Sequence, residues 1–363
     1  MKKSLRLAVV PGDGIGVETT REALKVLGAL RTADRVSATV EAFPWGADHF
    51  LKTGETIPDS AFVRLRSDFD AVLVGAFGDP RVPDNRHARE ILLGMRVKMD
   101  LYVNCRPVKC LADSLSPLKN RGASDIDFVV FRENTEGAYL GMGGTFKKGT
   151  PDETAIEEDL TTRKGVERIC RHAFQFASRF EKAKRLKRKP RVLMADKHNV
   201  QRFGGDLWHR TFLEVAKEFP GSENQHMFVD ALAMQMVRDP SSLDVIVTNN
   251  LFGDILTDLA AALQGGLGMA ASGNIHPGRT SVFEPIHGSA PPLAGKNVAN
   301  PFGSILSLAM LLRELQQNGS AERIERAVAA CVKANETTGD LGGKLSTSQA
   351  GDAVVMHLAE KTR

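Results

Sequence analysis

The sequence predicts an α/β protein: a mostly parallel sheet with helices over both faces. Three observations carry this. Short apolar runs such as Leu5–Val10 and Ala71–Gly75 have the unbroken hydrophobicity of strands buried on both sides. Segments with helical apolar spacing, such as Glu18–Leu30 and Thr162–Phe180, alternate with them. In mid-chain, four short apolar runs each end in a charged or polar residue, as strands do at the ligand-binding edge of an open α/β sheet.

In chain order, Leu5–Val10 runs into Pro11-Gly12-Asp13-Gly14-Ile15-Gly16 and then the helix Glu18–Leu30. Ser37–Phe43 is the second strand and Ala71–Gly75 the third, closed by Gly75-Ala76-Phe77-Gly78. The first glycine loop is spaced G-x-G-x-G rather than G-x-G-x-x-G, and no acidic residue ends the second strand, so it is not a Rossmann fingerprint. Gly141–Asp152 is rich in turn formers and reads as an exposed arm or long hairpin. Val166, Ile169, Cys170, Ala173 and Phe174 give Thr162–Phe180 its buried stripe. Val282–Pro292 reads as a loop stiffened by three prolines; Ser304–Leu315 and Glu322–Lys333 are helices.

The 363 residues exceed one average core, so one large or two smaller domains are expected. Hydrophobic content of 42% and charged content of 25% are ordinary globular values, which exclude a disordered chain. No apolar run is long enough for a bilayer, and the run after Lys3 is cut by Pro11-Gly12, so neither a membrane span nor a signal peptide is expected. Cys105, Cys110, Cys170 and Cys331 show no C-x-x-C pair and no disulfide framework. A soluble, reduced, cytoplasmic protein is the expectation. The net charge of +4 is concentrated at Lys182, Lys184, Arg185, Lys187, Arg188, Lys189 and Arg191. With only 6% aromatic residues and no binding module, this run reads as a solvated helix end and loop, not a nucleic-acid surface.

The segment Asp244–Asp258 is the most informative. A short strand enters an Asn249-Asn250 turn, and the helix that follows carries Asp254 and Asp258 four residues apart. Stacked on one face they repel, unless a cation lies between them. Hard oxygen ligands suit Mg²⁺ or Mn²⁺. The four strand ends deliver Arg132, then Asp196 and Lys197, then Asp230, then Thr248-Asn249-Asn250. Arg96 and Arg106 belong to Met95-Arg-Val-Lys-Met-Asp-Leu-Tyr-Val-Asn-Cys-Arg-Pro107. Guanidinium forks recognise carboxylates in a bidentate manner, so several arginines beside a metal cluster point to a small substrate with two or more carboxylates.

Val10-Pro-Gly-Asp-Gly-Ile-Gly16, Asp100-Leu-Tyr-Val-Asn-Cys-Arg-Pro107, Arg132-Glu-Asn-Thr-Glu-Gly137, Asp196-Lys197, Asn250-Leu-Phe-Gly-Asp-Ile-Leu-Thr-Asp258 and Glu284-Pro-Ile-His-Gly-Ser-Ala-Pro291 follow one another along nearly the whole chain. In this order they resemble the β-decarboxylating dehydrogenases of the isocitrate/isopropylmalate family. The resemblance implies a discontinuous large domain (1–104 and 265–363) with the cofactor loop. It implies an inserted smaller α/β domain (105–264) with a dimerisation arm, and a homodimer with shared active sites.

Carried over residue by residue, the resemblance makes Arg96, Arg106 and Arg132 the carboxylate holders. Asp230, Asp254 and Asp258 become metal ligands, with Asp230 also touching substrate; Asp230 and Lys197 reach in from the partner subunit. Lys197 helps remove the hydroxyl proton and Tyr139 reprotonates the enolate carbon. Glu284, His287, Gly288, Ser289, Ala290 and Asn300 match the cofactor loop. Pro292 stands where relatives select between dinucleotides, and nothing beside it is built for a 2′-phosphate, so NAD is expected. Leu92, Leu93 and Val200 match the positions around an isopropyl group. Arg89 departs from the pattern, which usually has glutamate there. The implied reaction is NAD- and metal-dependent oxidative decarboxylation of 3-isopropylmalate in leucine biosynthesis. D-malate or tartrate come second, isocitrate or homoisocitrate third, and a non-catalytic subunit of the same fold is the rival of another class.

Overall fold

A computed structural model describes residues 4–33, 36–180, 182, 185 and 187–359. Lys184 of the basic run and the first three residues of the N-terminal segment lie outside them. The strands are β1 Leu5–Gly12, β2 Ala38–Ala42, β3 Ala71–Ala76, β4 Val103–Lys109, β5 Asp127–Glu133, β6 Gly143–Phe146, β7 Thr154–Glu157, β8 Arg191–Asp196, β9 Glu223–Phe228, β10 Val245–Thr248, β11 Ala271–Ile275 and β12 Ser281–Pro285. The helices are α1 Ile15–Ala33, α2 Ala47–Thr53, α3 Asp59–Asp68, α4 Arg86–Lys98, α5 Arg163–Ala177, α6 Arg202–Ala216, α7 Val229–Arg238, α8 Asn250–Leu263, α9 Phe302–Glu314, α10 Asn318–Lys333 and α11 Thr347–Ala359. They form two compact units. One holds the residues up to Leu101, Lys109–Ala123 and those from Ala261 onward; the other holds Tyr102–Val108 and Ser124–Ala260.

In the first unit the strand order is β2-β1-β3-β12-β11. β1 pairs parallel to β2 and β3, β12 parallel to β3, and β11 antiparallel to β12. Every residue of β3 is buried, as its continuous apolar run requires. Val72 and Val74 pack with Ala8, Val10, Phe62, Leu65, Ile91 and Met95 on one side of the sheet. Gly12 turns out of β1 at φ +72°, where a Cβ would strike the Ala76 carbonyl, so only glycine fits. One correction falls here. The stretch expected as a proline-stiffened loop from Val282 begins as strand β12, with Ser281–Pro285 all buried. Its partners β3 and β11 bury it, and Pro285 is tolerated because it ends the strand.

In the second unit the order is β4-β5-β10-β8-β9. β5, β10, β8 and β9 run parallel, with Thr248 opposite both Arg132 and Ala195, and Asp196 opposite Phe228. The carboxyl ends of these four strands therefore share one edge. Thr162 caps α5 by accepting the Gly165 N–H at 3.0 Å. The apolar stripe of α5 faces inward, and Phe174 stacks on Phe212 of α6 at 5.4 Å. Burying such a side chain contributes about 1.5–3 kcal/mol. The turn-rich segment after Gly141 is an antiparallel hairpin, β6 with β7, every residue of it exposed, Phe146 and Ile156 included.

The basic run also differs from expectation. Lys182 is buried, donating to the Asp127 and Leu243 carbonyls at 3.1 and 2.7 Å, and Arg188 forks onto Asp244 at 2.5 and 2.8 Å. These cations answer a carboxylate packed inside the protein rather than solvent.

Candidate active site

The shared edge of the second unit brings Arg106, Arg132 and Tyr139 onto Asp254 and Asp258, and holds Lys197 and Asp230 as a separate pair. Arg132, 1% exposed at the end of β5, donates Nε–H to Asn250 Oδ1 at 2.8 Å and Nη1–H to Asp254. Asn250 is held in turn, donating to the Glu136 carbonyl at 2.8 Å. The Tyr139 hydroxyl donates to the other Asp254 oxygen at 2.5 Å, and the Arg132 guanidinium lies 4.8 Å from the Tyr139 ring centroid. Arg106, buried on β4, donates to the Thr257 hydroxyl and stands 3.6 Å from Asp254 and 3.8 Å from Asp258. The approach of α8 to Arg132 depends on Gly253: a Cβ there would come within 2.6 Å of Arg132 Cβ and Cγ.

The two carboxylates of α8 differ. Burial raises the Asp254 carboxyl, but Arg132, the Tyr139 hydroxyl and Arg106 outweigh it and hold it below the ordinary range. Burial also raises Asp258, and there the Asp254 charge reinforces it, so the net shift is upward despite Arg106 and Arg132. Asp258 is the more open, with 61% side-chain exposure against 38% for Asp254. An added cation beside Asp258 would relieve both causes of its shift.

Lys197 and Asp230 form a second pair. Lys197, one residue past β8, reaches Asp230 Oδ1 at 2.8 Å and lies 5.4 Å from the Phe228 ring centroid. Asp230 sits in the first turn of α7 rather than directly at a strand end, and its carboxyl is lowered chiefly by the Lys197 hydrogen bond. Val200, three residues on, is 68% exposed. Among the described residues, the trios of Asp, Glu, His or Cys whose ligand atoms fall within 4.8 Å are Asp196–His198–His226 and Cys331–Glu336–His357. One chain therefore does not gather Asp230 with Asp254 and Asp258.

The first unit positions the rest. His287 is buried, its ring lowered by burial, and its Nε2 has no hydrogen-bond partner among the described residues. Ser289 accepts the Ile15 N–H at 2.9 Å, and Gly14 must be glycine because a Cβ would meet the Ser289 carbonyl. Gly288 has open space where a Cβ would point, and Ala290 turns the loop at φ +40°. Asn300 is occupied, accepting the Phe302 N–H at 2.9 Å and donating to Asp340 at 3.0 Å. Glu284 accepts from Asn274 at 2.7 Å and from Arg96 at 3.5 Å. Arg96 itself is 9% exposed, with Nε lacking a hydrogen-bond partner among the described residues. Leu92 and Leu93 precede it on α4, both partly buried, and Leu92 packs against the core.

The model of the isocitrate/isopropylmalate dehydrogenase family matches residues 6–354. The chain belongs to that family. It is 47% identical over 353 residues to the 3-isopropylmalate dehydrogenase of Corynebacterium urealyticum, covering 96% of this chain and 98% of the relative. It is 46% identical over 361 residues to that of Streptomyces coelicolor, covering 99% and 100%. Among solved structures, it resembles isocitrate dehydrogenase from Methylococcus capsulatus with a TM-score of 0.85 and 34% identity, covering 98% and 100%.

Sequence reasoning missed part of the apparatus of this family member. Asp13 accepts N–H groups from Ala47 at 2.6 Å and Gly78 at 2.8 Å and pairs with the fully buried His87 at 2.7 Å, tying three loops together. An acidic residue inside a glycine loop was the available signal. Asn250, read only as a turn former, orients Arg132, and a glycine inside α8 marked the close approach to that arginine.

Proposed function

We propose that this chain oxidatively decarboxylates 3-isopropylmalate with NAD and Mg²⁺ or Mn²⁺, as a cytoplasmic homodimer serving leucine biosynthesis. The observation that carries the reading is the convergence of Arg106, Arg132 and Tyr139 on the Asp254–Asp258 pair at the carboxyl edge of the second unit. Full-length likeness to enzymes named for that acid supports the choice of substrate.

The donor set fits a hard divalent ion: two carboxylates one turn apart on one helix face, both partly open. Such an ion would supply Lewis acidity at the oxygen of the substrate's hydroxyl group. The unpartnered His287 Nε2 and the bare Gly288 backbone fit an adenosine and its phosphates, and NAD supplies the hydride acceptor.

The chain's own groups do the rest. Arg96, Arg106 and Arg132 hold the carboxylates, and burial of their guanidiniums strengthens that hold. Lys197 accepts the hydroxyl proton, directly or through water, while the hydrogen on the same carbon leaves as hydride, which NAD would accept. Once carbon dioxide has left, the Tyr139 hydroxyl turns from Asp254 and returns its proton to the enolate carbon, with Arg132 fixing the ring. One chain does not gather Asp230 with Asp254 and Asp258, which supports service of Asp230 and its neighbour Lys197 to the partner's site, Asp230 as its third metal ligand. Val200, exposed beside them, joins Leu92 and Leu93 as hydrocarbon for the isopropyl group. The exposed Phe146 and Ile156 of the hairpin give the dimer an apolar arm.

The test is initial-rate NADH formation with Mg²⁺ or Mn²⁺ across 3-isopropylmalate, D-malate, tartrate, isocitrate and homoisocitrate, repeated with NADP. The highest kcat/KM is expected for 3-isopropylmalate with NAD. A preference for D-malate or tartrate would replace the substrate; silence with every acid would leave a non-catalytic subunit.

A further inference from the structure

The second unit carries a nitrogen-rich cluster that this reaction does not use. Asp196 ends β8, His198 lies two residues on, and His226 sits on the neighbouring β9. His198 Nδ1 is 3.0 Å from both Asp196 oxygens, and His226 Nε2 is 2.8 Å from Oδ1. We propose that Asp196, His198 and His226 bind a borderline-soft divalent ion of the Zn²⁺ class, distinct in donor chemistry from the all-oxygen Asp254–Asp258 pair.

Four features carry this. The donor set is two imidazoles and one carboxylate, which suits Zn²⁺, Co²⁺ or Ni²⁺ and leaves a coordination position open. The three ligand atoms already fall within 4.8 Å of one another. Bonds of about 2.0–2.1 Å in a tetrahedron space their ligands by about 3.3 Å, so the nitrogens need move only a few tenths of an ångström from the carboxylate. Next, Asp196 is 3% exposed, yet its side-chain partners among the described residues are His198 and His226, with no lysine or arginine. A divalent ion would supply a fixed positive charge beside this enclosed carboxylate.

The ligands are also fixed in advance. Gly205 of α6 lets that helix reach the His198 backbone: a Cβ there would stand 2.5 Å from His198 Cα. The His209 ring stacks on His198 at 5.0 Å, and Phe228 packs against His198 and His226 at 5.2 and 5.3 Å. The His198 and His226 side chains keep 31% and 24% exposure within the chain, so an ion can reach them.

Co²⁺ titrated into metal-free protein in excess Mg²⁺, followed by visible absorption and then displaced by Zn²⁺, reads this site directly. One Co²⁺ per chain with the strong bands of low coordination number is expected. His198→Asn and His226→Gln should each weaken Zn²⁺ at least about tenfold, while Asp254→Asn keeps it. Unchanged affinity in both histidine variants, or loss of the ion in Asp254→Asn, would overturn the proposal. X-ray absorption of the Zn²⁺-loaded wild-type protein needs no variant: two imidazoles in the shell support the site, and an oxygen-only shell refutes it.

Discussion

β10 is four residues long and carries charge at both ends. Before its first residue Asp244 is sealed, with no side-chain exposure. It is forked by Arg188, hydrogen-bonded by the Arg191 N–H at 3.0 Å, and within 3.7 Å of Lys182. Beyond its last residue Asp254 and Asp258 face two buried arginines and a tyrosine, yet remain open to solvent. Both clusters join carboxylates to guanidiniums. At the amino end the carboxylate is enclosed and every charge is answered, which is structure. At the carboxyl end the positive charge is buried and the negative charge is open, which leaves room for ligands.

That contrast breaks most visibly in turnover. Asp254→Asn should lower metal-dependent kcat/KM at least about a thousandfold, several kcal/mol of transition-state stabilisation. Full activity in that variant would erase the distinction between the two ends. Lys197→Met should cost about 10²–10⁴-fold in kcat with substrate binding nearly intact; a loss confined to KM would remove Lys197 from the chemistry.

The amino end should show the converse. Asp244→Asn strands Arg188 and Lys182 inside the protein and should cost about 3–5 kcal/mol in denaturant unfolding, with activity per folded chain unchanged. At Asp244, burial alone would raise the carboxyl, but Arg188, the Arg191 N–H and Lys182 hold it below the ordinary range. A lowered folded value means stability that is present above the ordinary carboxylate range and lost as pH falls through the folded value. Acid unfolding of Asp244→Asn should therefore be less steep there than wild type; identical curves would show that the pair contributes nothing. The smallest effect is Gly253→Ala, where the new methyl presses on Arg132 and should cost about 1–3 kcal/mol with a raised KM. An unaltered melt and KM would show that α8 yields freely.

The sequence made the carboxyl end more legible than the amino end, for a physical reason. Asp254 and Asp258 betray each other through helical spacing, and Arg132 stands at the end of its own apolar run. Asp244 and Arg188 are 56 residues apart, so the basic run looked solvated until the fold enclosed it. β12 was hidden similarly: five residues ending in proline look like a loop until β3 and β11 bury them on either side. His198 and His226 meet only because β8 and β9 pair in one particular register. The asymmetry of Asp230, paired with Lys197 rather than gathered with Asp254, also has no signature in spacing.

Mn²⁺ binding followed by the paramagnetic resonance of the free ion, with 3-isopropylmalate present, tests the central claim most directly. The account predicts one tight Mn²⁺ per wild-type chain, at least about tenfold weaker binding in Asp254→Asn, and wild-type binding in Asp244→Asn. Wild-type affinity in Asp254→Asn would contradict it.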